Sequence, residues 1–154
     1  MYFWKIEQLK EDIKSNRLSE KDRFIYTFIY IALGAIAMES MIWMPLENPN
    51  TLDSIDSFLN IIITCLGTYF SYKANGGASG VDFLGRFFSI SFVVGIRFVV
   101  LLIPMYIAIF AYYYYVYPID QELETTAFDI IIYQAWFIFL YVRTYKHIRD
   151  VKNS

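Results

Sequence analysis

One cysteine and one histidine in 154 residues leave little raw material for a disulfide framework or for soft metal ligation. Cys65 has no second thiol in the chain to pair with, and its place inside an apolar run predicts a packed thiol. His147 lies beside Lys146 and near Arg149 with neither a cysteine nor an acidic cluster at ligand spacing, so no metal site is expected. Positive charge is not in excess either. Thirteen Lys and Arg against fifteen Asp and Glu give a net charge of −2, whereas a face that grips nucleic-acid phosphates needs a strongly basic surface, so direct binding to nucleic acid is excluded. The apolar segments contain no Ser/His/Asp set, paired carboxylates or HExxH helix, so neither an enzyme nor a cofactor is expected. The glycines at residues 75–80 (Asn-Gly-Gly-Ala-Ser-Gly) have no strand before them and no Gly-Lys-Ser/Thr after them; they read as a turn, or as a hinge for the stretch that follows, not as a phosphate cradle. Internal repeats are absent, and the tyrosine run near residue 114 is the only biased tract.

What the chain has in abundance is apolar surface. Residues of hydrophobic type make up 57% and aromatics 20%, more than a soluble domain of this size can bury, and they are gathered into long runs with the charges at the ends. The expectation is an all-α integral membrane protein with four transmembrane helices behind an N-terminal amphipathic helix, embedded in a lipid bilayer. Residues 24–45 form the first run, long enough at ~1.5 Å per residue to cross ~30 Å of hydrocarbon, and Ser19 with Asp22 makes a capping box before it. The second, residues 55–72, opens behind Asp53, Ser54 and Asp56 and is near the short limit. The last, residues 127–145, repeats the cap with Thr126 and Asp129. Residues 83–117 are the odd segment, since one helix of that length would measure ~52 Å. Either residues 83–95 are interfacial or partly buried and a true crossing follows, or one steep helix bends at Pro104 and carries its outer half beyond the lipid. Tyr112, Tyr113, Tyr114, Tyr115 and Tyr117, rings suited to a membrane interface, favour the first.

Basic residues set the orientation, because Lys and Arg are retained on the cytoplasmic side. They occur in the N-terminal segment (Lys5, Lys10, Lys14, Arg17, Lys21, Arg23), at Lys73, and in the tail (Arg143, Lys146, Arg149, Lys152). The alternate loops carry Glu47 and Asp53, then Asp120, Glu122 and Glu124, with no basic residue. Both termini are therefore expected in the cytoplasm, with residues 1–23 as an amphipathic helix, 24–145 as the four-helix membrane domain and 146–154 as a basic tail. Residues 1–23 are of mixed charge and do not read as a cleaved signal peptide. Tyr2, Ile6, Leu9 and Ile13 recur at helical spacing and give that segment one apolar face, fit to lie on the membrane, to pack on the rest of the chain or to meet a partner.

Ionisable and polar residues inside apolar helices are the functional candidates, since each needs a partner or a task. Glu39 interrupts the first run and is a candidate proton or cation site. Arg86 and Arg97, eleven residues apart, share a helix face with Asp82 and Ser89; the stripe suits the lining of a water-filled path, or contact with lipid headgroups and other anions, unless Arg86 snorkels and Arg97 forms an internal ion pair. Asn60, Thr64 and Thr68 sit at helical spacing on the second run, placed to face the same interior, while Gln134 and Asn60 also read as ordinary helix-packing residues.

Four helices of this length enclose little but side chains, so a path or cavity is expected at the interface of a homo-oligomer that includes the polar positions of spans two and three. The leading expectation is an oligomeric subunit forming a pore or a membrane sensor and effector; the alternative is a small proton-coupled transporter using Glu39. The place of Glu39 in a four-span chain is similar to that in the small multidrug resistance exporters, though those chains are shorter and carry their glutamate nearer the N-terminus. The layout as a whole, short acidic loops and basic ends around four apolar helices, resembles the small four-helix membrane subunits of bacterial anti-phage defence systems of the Kiwa type. That resemblance implies a homo-oligomer in the bacterial inner membrane working with a cytoplasmic protein partner, which the N-terminal segment and the C-terminal tail would meet.

Overall fold

The computed structural model describes residues 1–43, 49–116 and 124–152, and among them there are helices and turns but no strand. The order is α1 (Ile6–Lys14), α2 (Glu20–Trp43), α3 (Thr51–Ala74), a 3-10 turn at Gly77–Ser79, α4 (Phe83–Val116) and α5 (Ala127–Lys152). Glu47, Asp120, Glu122, Pro45 and Tyr117 lie outside the described residues.

Helix starts follow the local chemistry. Ser19 accepts the Asp22 N–H at 3.1 Å and donates its hydroxyl to the Asp22 carboxylate, and Thr126 and Asp129 are paired through both backbone N–H groups. The cap of α3 lies earlier than the expected start at residue 55. Asn50 Oδ1 accepts from the N–H groups of Leu52 and Asp53 while the Asp53 carboxylate takes the Asn50 N–H, and this reciprocal pair starts the helix at Thr51.

Three of the four segments read as crossings are long and apolar enough to span a membrane: α2 over Glu20–Ser40, α4 and α5. α3 has the length, with 24 residues, but Asp53, Asp56 and Asn60 in its first half and Lys73 near its end dilute its apolar character. α4 is a single 34-residue helix running through Pro104. Its first third is covered by protein, with Gly85, Phe87 and every residue from Ser89 to Val94 buried, and from Val99 onward its apolar side chains are mostly exposed. Its excess length is therefore the buried stretch that precedes the exposed one.

The long helices pack in the order α2, α4, α5, α3, a row in which no other pair makes extended contact among the described residues. Tyr30 against Phe88 and Arg23 against Asp82 set α2 parallel to α4. Phe98 against Trp136, Tyr106 against Tyr133 and Tyr113 against Asp129 set α4 antiparallel to α5. Asp56 bonded to Gln134 and Gly67 facing Tyr141 set α3 parallel to α5; a Cβ on Gly67 would stand 2.3 Å from the Tyr141 ring, so glycine permits this approach. All basic segments consequently meet at one end of the row.

That end holds the core. α1 lies across α4 and α5 and buries Ile6, Leu9 and Ile13, the face its spacing predicts, among Phe87, Ile90, Val93, Ile148 and Val151. Each such side chain gains ~1.5–3 kcal/mol on leaving water. Residues 1–23 thus share a core with the helices that follow them, and α1 packs on its own chain. Toward the other end Ile36, Ile61, Ile107, Phe110 and Ile131 are exposed, and beside the core Phe24, Phe28 and Leu84 also face outward.

Candidate functional site: the polar residues of the apolar helices

The polar stripe of α4 shares a helix face, but its members reach different elements. Asp82, in the left-handed region at φ 49°, pairs with Arg23 at 3.2 Å. Arg86 Nη1 donates to Asn75 Oδ1 at 3.0 Å, and Asn75, only 1% exposed, donates in turn to the Val81 carbonyl at 3.1 Å. Gly76, at φ 110°, lets the chain reverse there, and a Cβ on Gly80 would stand 2.5 Å from the Asn75 carbonyl oxygen. The glycine cluster is a turn held shut by Arg86. Ser89 is fully buried and donates to the carbonyl of Gly85 at 2.6 Å, one turn back in its own helix. Arg97 reaches across to the N-terminal segment: Nε donates to the Trp4 carbonyl at 3.1 Å, Nη2 donates to the same oxygen, and the guanidinium lies 5.4 Å from the centre of the Trp4 ring. Its partner within the chain is a main-chain oxygen and an indole, where the sequence predicts an internal ion pair, a water-filled path, or lipid headgroups and other anions.

On α3, Asn60 Nδ2 donates to Asp56 Oδ2 at 3.2 Å, and Gln134 Nε2 of α5 donates to Asp56 Oδ1 at 2.6 Å and to the Asp56 carbonyl at 3.2 Å. Asn60 and Gln134 therefore meet through Asp56, and the Oε1 atom of Gln134 is left buried with no partner. Thr64 is exposed and Thr68 is half-buried. Cys65, expected to be packed, is exposed as well, because it lies off the α5-facing side of α3. Glu39 is exposed on α2 and has no hydrogen bond or ion pair among the described residues. Arg97 bonds the Trp4 carbonyl and no ion pair joins it to Glu39, so the two are not a pair. The candidates do not converge on one lining within this chain.

Sequence reasoning passed over Asp56, treating it as part of a helix start. The available signal was its spacing of four residues from Asn60, which puts amide and carboxylate on one helix face. Trp4 and Asp150 were also missed, and nothing local marks them: Lys10 Nζ bonds Asp150 at 3.3 Å, across most of the chain, and Glu7 at 2.8 Å. Burial opposes the Lys10 charge, but the bonds to Glu7 and Asp150 outweigh it and raise its pKa. Tyr2 Oη donates to Asp12 Oδ2; that bond, with Arg17 adding to it, holds the Asp12 carboxyl below the usual carboxylate range and pushes the Tyr2 hydroxyl up. Tyr26 Oη donates to the Tyr2 carbonyl at 3.0 Å and completes the seat of the N-terminal segment.

The hollows among the described residues include three that bear on the site. One of about 520 Å³ opens between α4 and α5 beneath Trp4, with Arg97, Arg143 and His147 at its rim and Phe98, Leu101, Trp136 and Phe139 below. A second, about 430 Å³, is apolar and runs along α3 and α5 past Leu66, Phe70, Tyr141 and Tyr145. The third, also about 430 Å³, lies at the opposite end among Asp53, Asp56, Tyr113, Thr125 and Asp129. No group of His, Cys, Asp and Glu suited to a metal occurs among the described residues. The chain matches no protein-family model, no curated protein and no solved structure.

Proposed function

We propose that the chain is a multi-pass subunit of a bacterial cell membrane, crossing four times with both termini cytoplasmic, that self-associates and acts as a membrane sensor or effector. The observation that carries this is the division of the molecule along its length, with buried core and polar ties at the basic end and exposed apolar side chains over the rest. The dimensions agree. From Arg97 to Val116, α4 rises about 28 Å, close to the ~30 Å of a hydrocarbon layer, and the tyrosines end that interval. α3 enters the count as a crossing because it lies parallel to α5 and against it, and its polar side chains Asp56 and Asn60 are satisfied by Gln134 and by each other. Self-association is supported by the open row, whose edge helices α2 and α3 each have an unpacked side, and by Thr64, a hydroxyl exposed on one of those edges. A pore would have to be formed between copies. The transporter alternative gains no support from Glu39, which faces outward alone. A role in phage defence with a cytoplasmic partner rests on the resemblance of layout and is tested by challenging cells with phage with and without the gene.

Topology is the direct test. In a Cys65→Ala background, cysteines introduced at Pro49 and Glu124 should react with an impermeant thiol reagent on intact cells, and one at Lys14 should react only after lysis. The reverse pattern sinks the orientation, and equal labelling at all three sites sinks the membrane reading.

A further inference from the structure

We infer that the hollow between α4 and α5 beneath Trp4 is a binding site for an anionic glycerophospholipid of the cytoplasmic leaflet, with Arg97 and Arg143 receiving the phosphate and the apolar floor receiving an acyl chain. This deepens the membrane reading above and rests on it.

The charge around the rim is one-sided. Arg97 spends two N–H groups on the Trp4 carbonyl, leaving three of its five donors, and Arg143 is exposed with no hydrogen bond or ion pair among the described residues. The carboxylates of the surrounding elements are engaged elsewhere. On α5, Asp150 bonds Lys10 and lies 4.0 Å from His147; on α1, Glu7 bonds Lys10; before α4, Asp82 pairs with Arg23, some 22 Å along the helix from Arg97 at ~1.5 Å per residue. Two guanidiniums without an opposing carboxylate attract an anion, and their planar forks match phosphate oxygens. Trp4 stacks against one of them and fixes its direction before any ligand arrives.

Depth and floor decide which anion. Arg97 stands between Val94, the last buried residue of α4, and Val99, where its exposed apolar stretch begins. On the proposed crossing of α4 from Arg97 to Val116, the rim stands at the edge of the hydrocarbon layer, where lipid phosphates lie. Below it Phe98 and Trp136 meet edge to face at 5.1 Å, with Leu101 and Phe139 beside them. A free phosphate or an acidic peptide would leave that floor uncovered. A phospholipid satisfies rim and floor together, and about 520 Å³ falls within the ~300–1,000 Å³ usual for small-molecule sites.

The test uses full-length protein carrying Trp43→Phe, so that Trp4 and Trp136, both at the hollow, remain the emitters. It is reconstituted into phosphatidylcholine vesicles containing a minor fraction of phosphatidylglycerol, with bromine on the acyl chains of one lipid or the other. Quenching should be stronger when the phosphatidylglycerol is brominated than when the same mole fraction of phosphatidylcholine is. Each arginine near a membrane surface contributes about fivefold to anionic-lipid preference, so Arg143→Gln should lower the preference by about that factor while leaving the Arg97–Trp4 contact in place. Lys146→Gln, on the same end but outside the hollow, should leave it unchanged. Glycerol phosphate in the buffer should fail to relieve the quenching. Equal quenching by both lipids, or relief by glycerol phosphate, overturns the site; so does an equal effect of Lys146→Gln, which would mark diffuse attraction. Failure of the protein to float with vesicles of either composition overturns the membrane reading, and the site with it.

Discussion

The two ends of this molecule are held by different means. At the basic end α1 closes over α4 and α5 with Leu9, Ile90, Val93 and Ile148 fully buried and with Lys10, Asp12, Arg86 and Arg97 all in specific polar contacts. At the acidic end the helices touch through a few bonds among Asn50, Asp53, Asp56, Tyr113, Thr125, Asp129 and Gln134, and the apolar side chains between the ends face outward. Water expels the first set of apolar groups, and in a bilayer nothing expels the second. The basic end should therefore tolerate core truncation poorly, and the spanning part should respond to shape more than to hydrophobicity.

Leu9→Ala probes the first half of this contrast most severely. Emptying a fully buried leucine site typically costs ~2–5 kcal/mol, so hydrogen exchange or limited proteolysis should show residues 1–18 released while α3 and α5 stay protected. Gly67→Ala probes the second half. The added methyl meets the Tyr141 ring and should cost ~1–3 kcal/mol of thermal stability in detergent, although the change makes the helix more apolar. A neutral result would remove shape as the basis of α3–α5 packing.

Acid should act on both ends, since the Thr125 hydroxyl and the Asn50 N–H hold the Asp53 carboxyl below the usual carboxylate range as well, whereas base should act on the basic end. The lowered Asp12 carboxyl contributes stability that is present above the usual carboxylate range and is lost as pH falls through it; the raised Tyr2 and Lys10 groups contribute stability that is present at neutral pH and is lost as pH rises through their elevated values. Protection of residues 1–18 should thus form a plateau across neutral pH and fall at both extremes, with Asp12→Asn flattening the acid limb. Equal sensitivity to base in α5 near Gln134 would blur the contrast. The smallest effect is expected at Asn60→Leu, about 0.2–0.5 kcal/mol, the range for a side-chain pair four residues apart on one helix, since Asn60 bonds Asp56 within α3; it is measured as a shift in thermal midpoint.

Legibility in the sequence follows the range of each interaction. The caps at Ser19 and Thr126 and the apolar face of α1 depend on residues within a turn or two, and periodicity reveals them. The crowded length of residues 83–117 was visible as a conflict, but its resolution needed α1 to cover the first third of α4, a contact between segments about eighty residues apart. The same holds for Arg97: its unusual setting could be read, whereas a main-chain oxygen and an indole at Trp4 leave no mark near it. Asp56 was hidden for another reason, since near a helix start an acid is unremarkable until Gln134 is found against it. The sequence also invites pairing α2 with α3, its neighbour along the chain, whereas α4 and α5 lie between them in the row.

That order has a consequence for synthesis. Ribosomes add ~5–20 residues per second, so Gln134 emerges roughly 4–16 s after Asp56, and under the four-crossing proposal α3 must sit at the insertion machinery throughout that interval with its carboxylate and Asn60 answering only each other. α2 and α3 enter as neighbours and must part before α4 and α5 come between them. Assembly of the row is a late event governed by the last helix made, and a nascent chain stalled ahead of residue 127 would expose the least apolar helix to quality control.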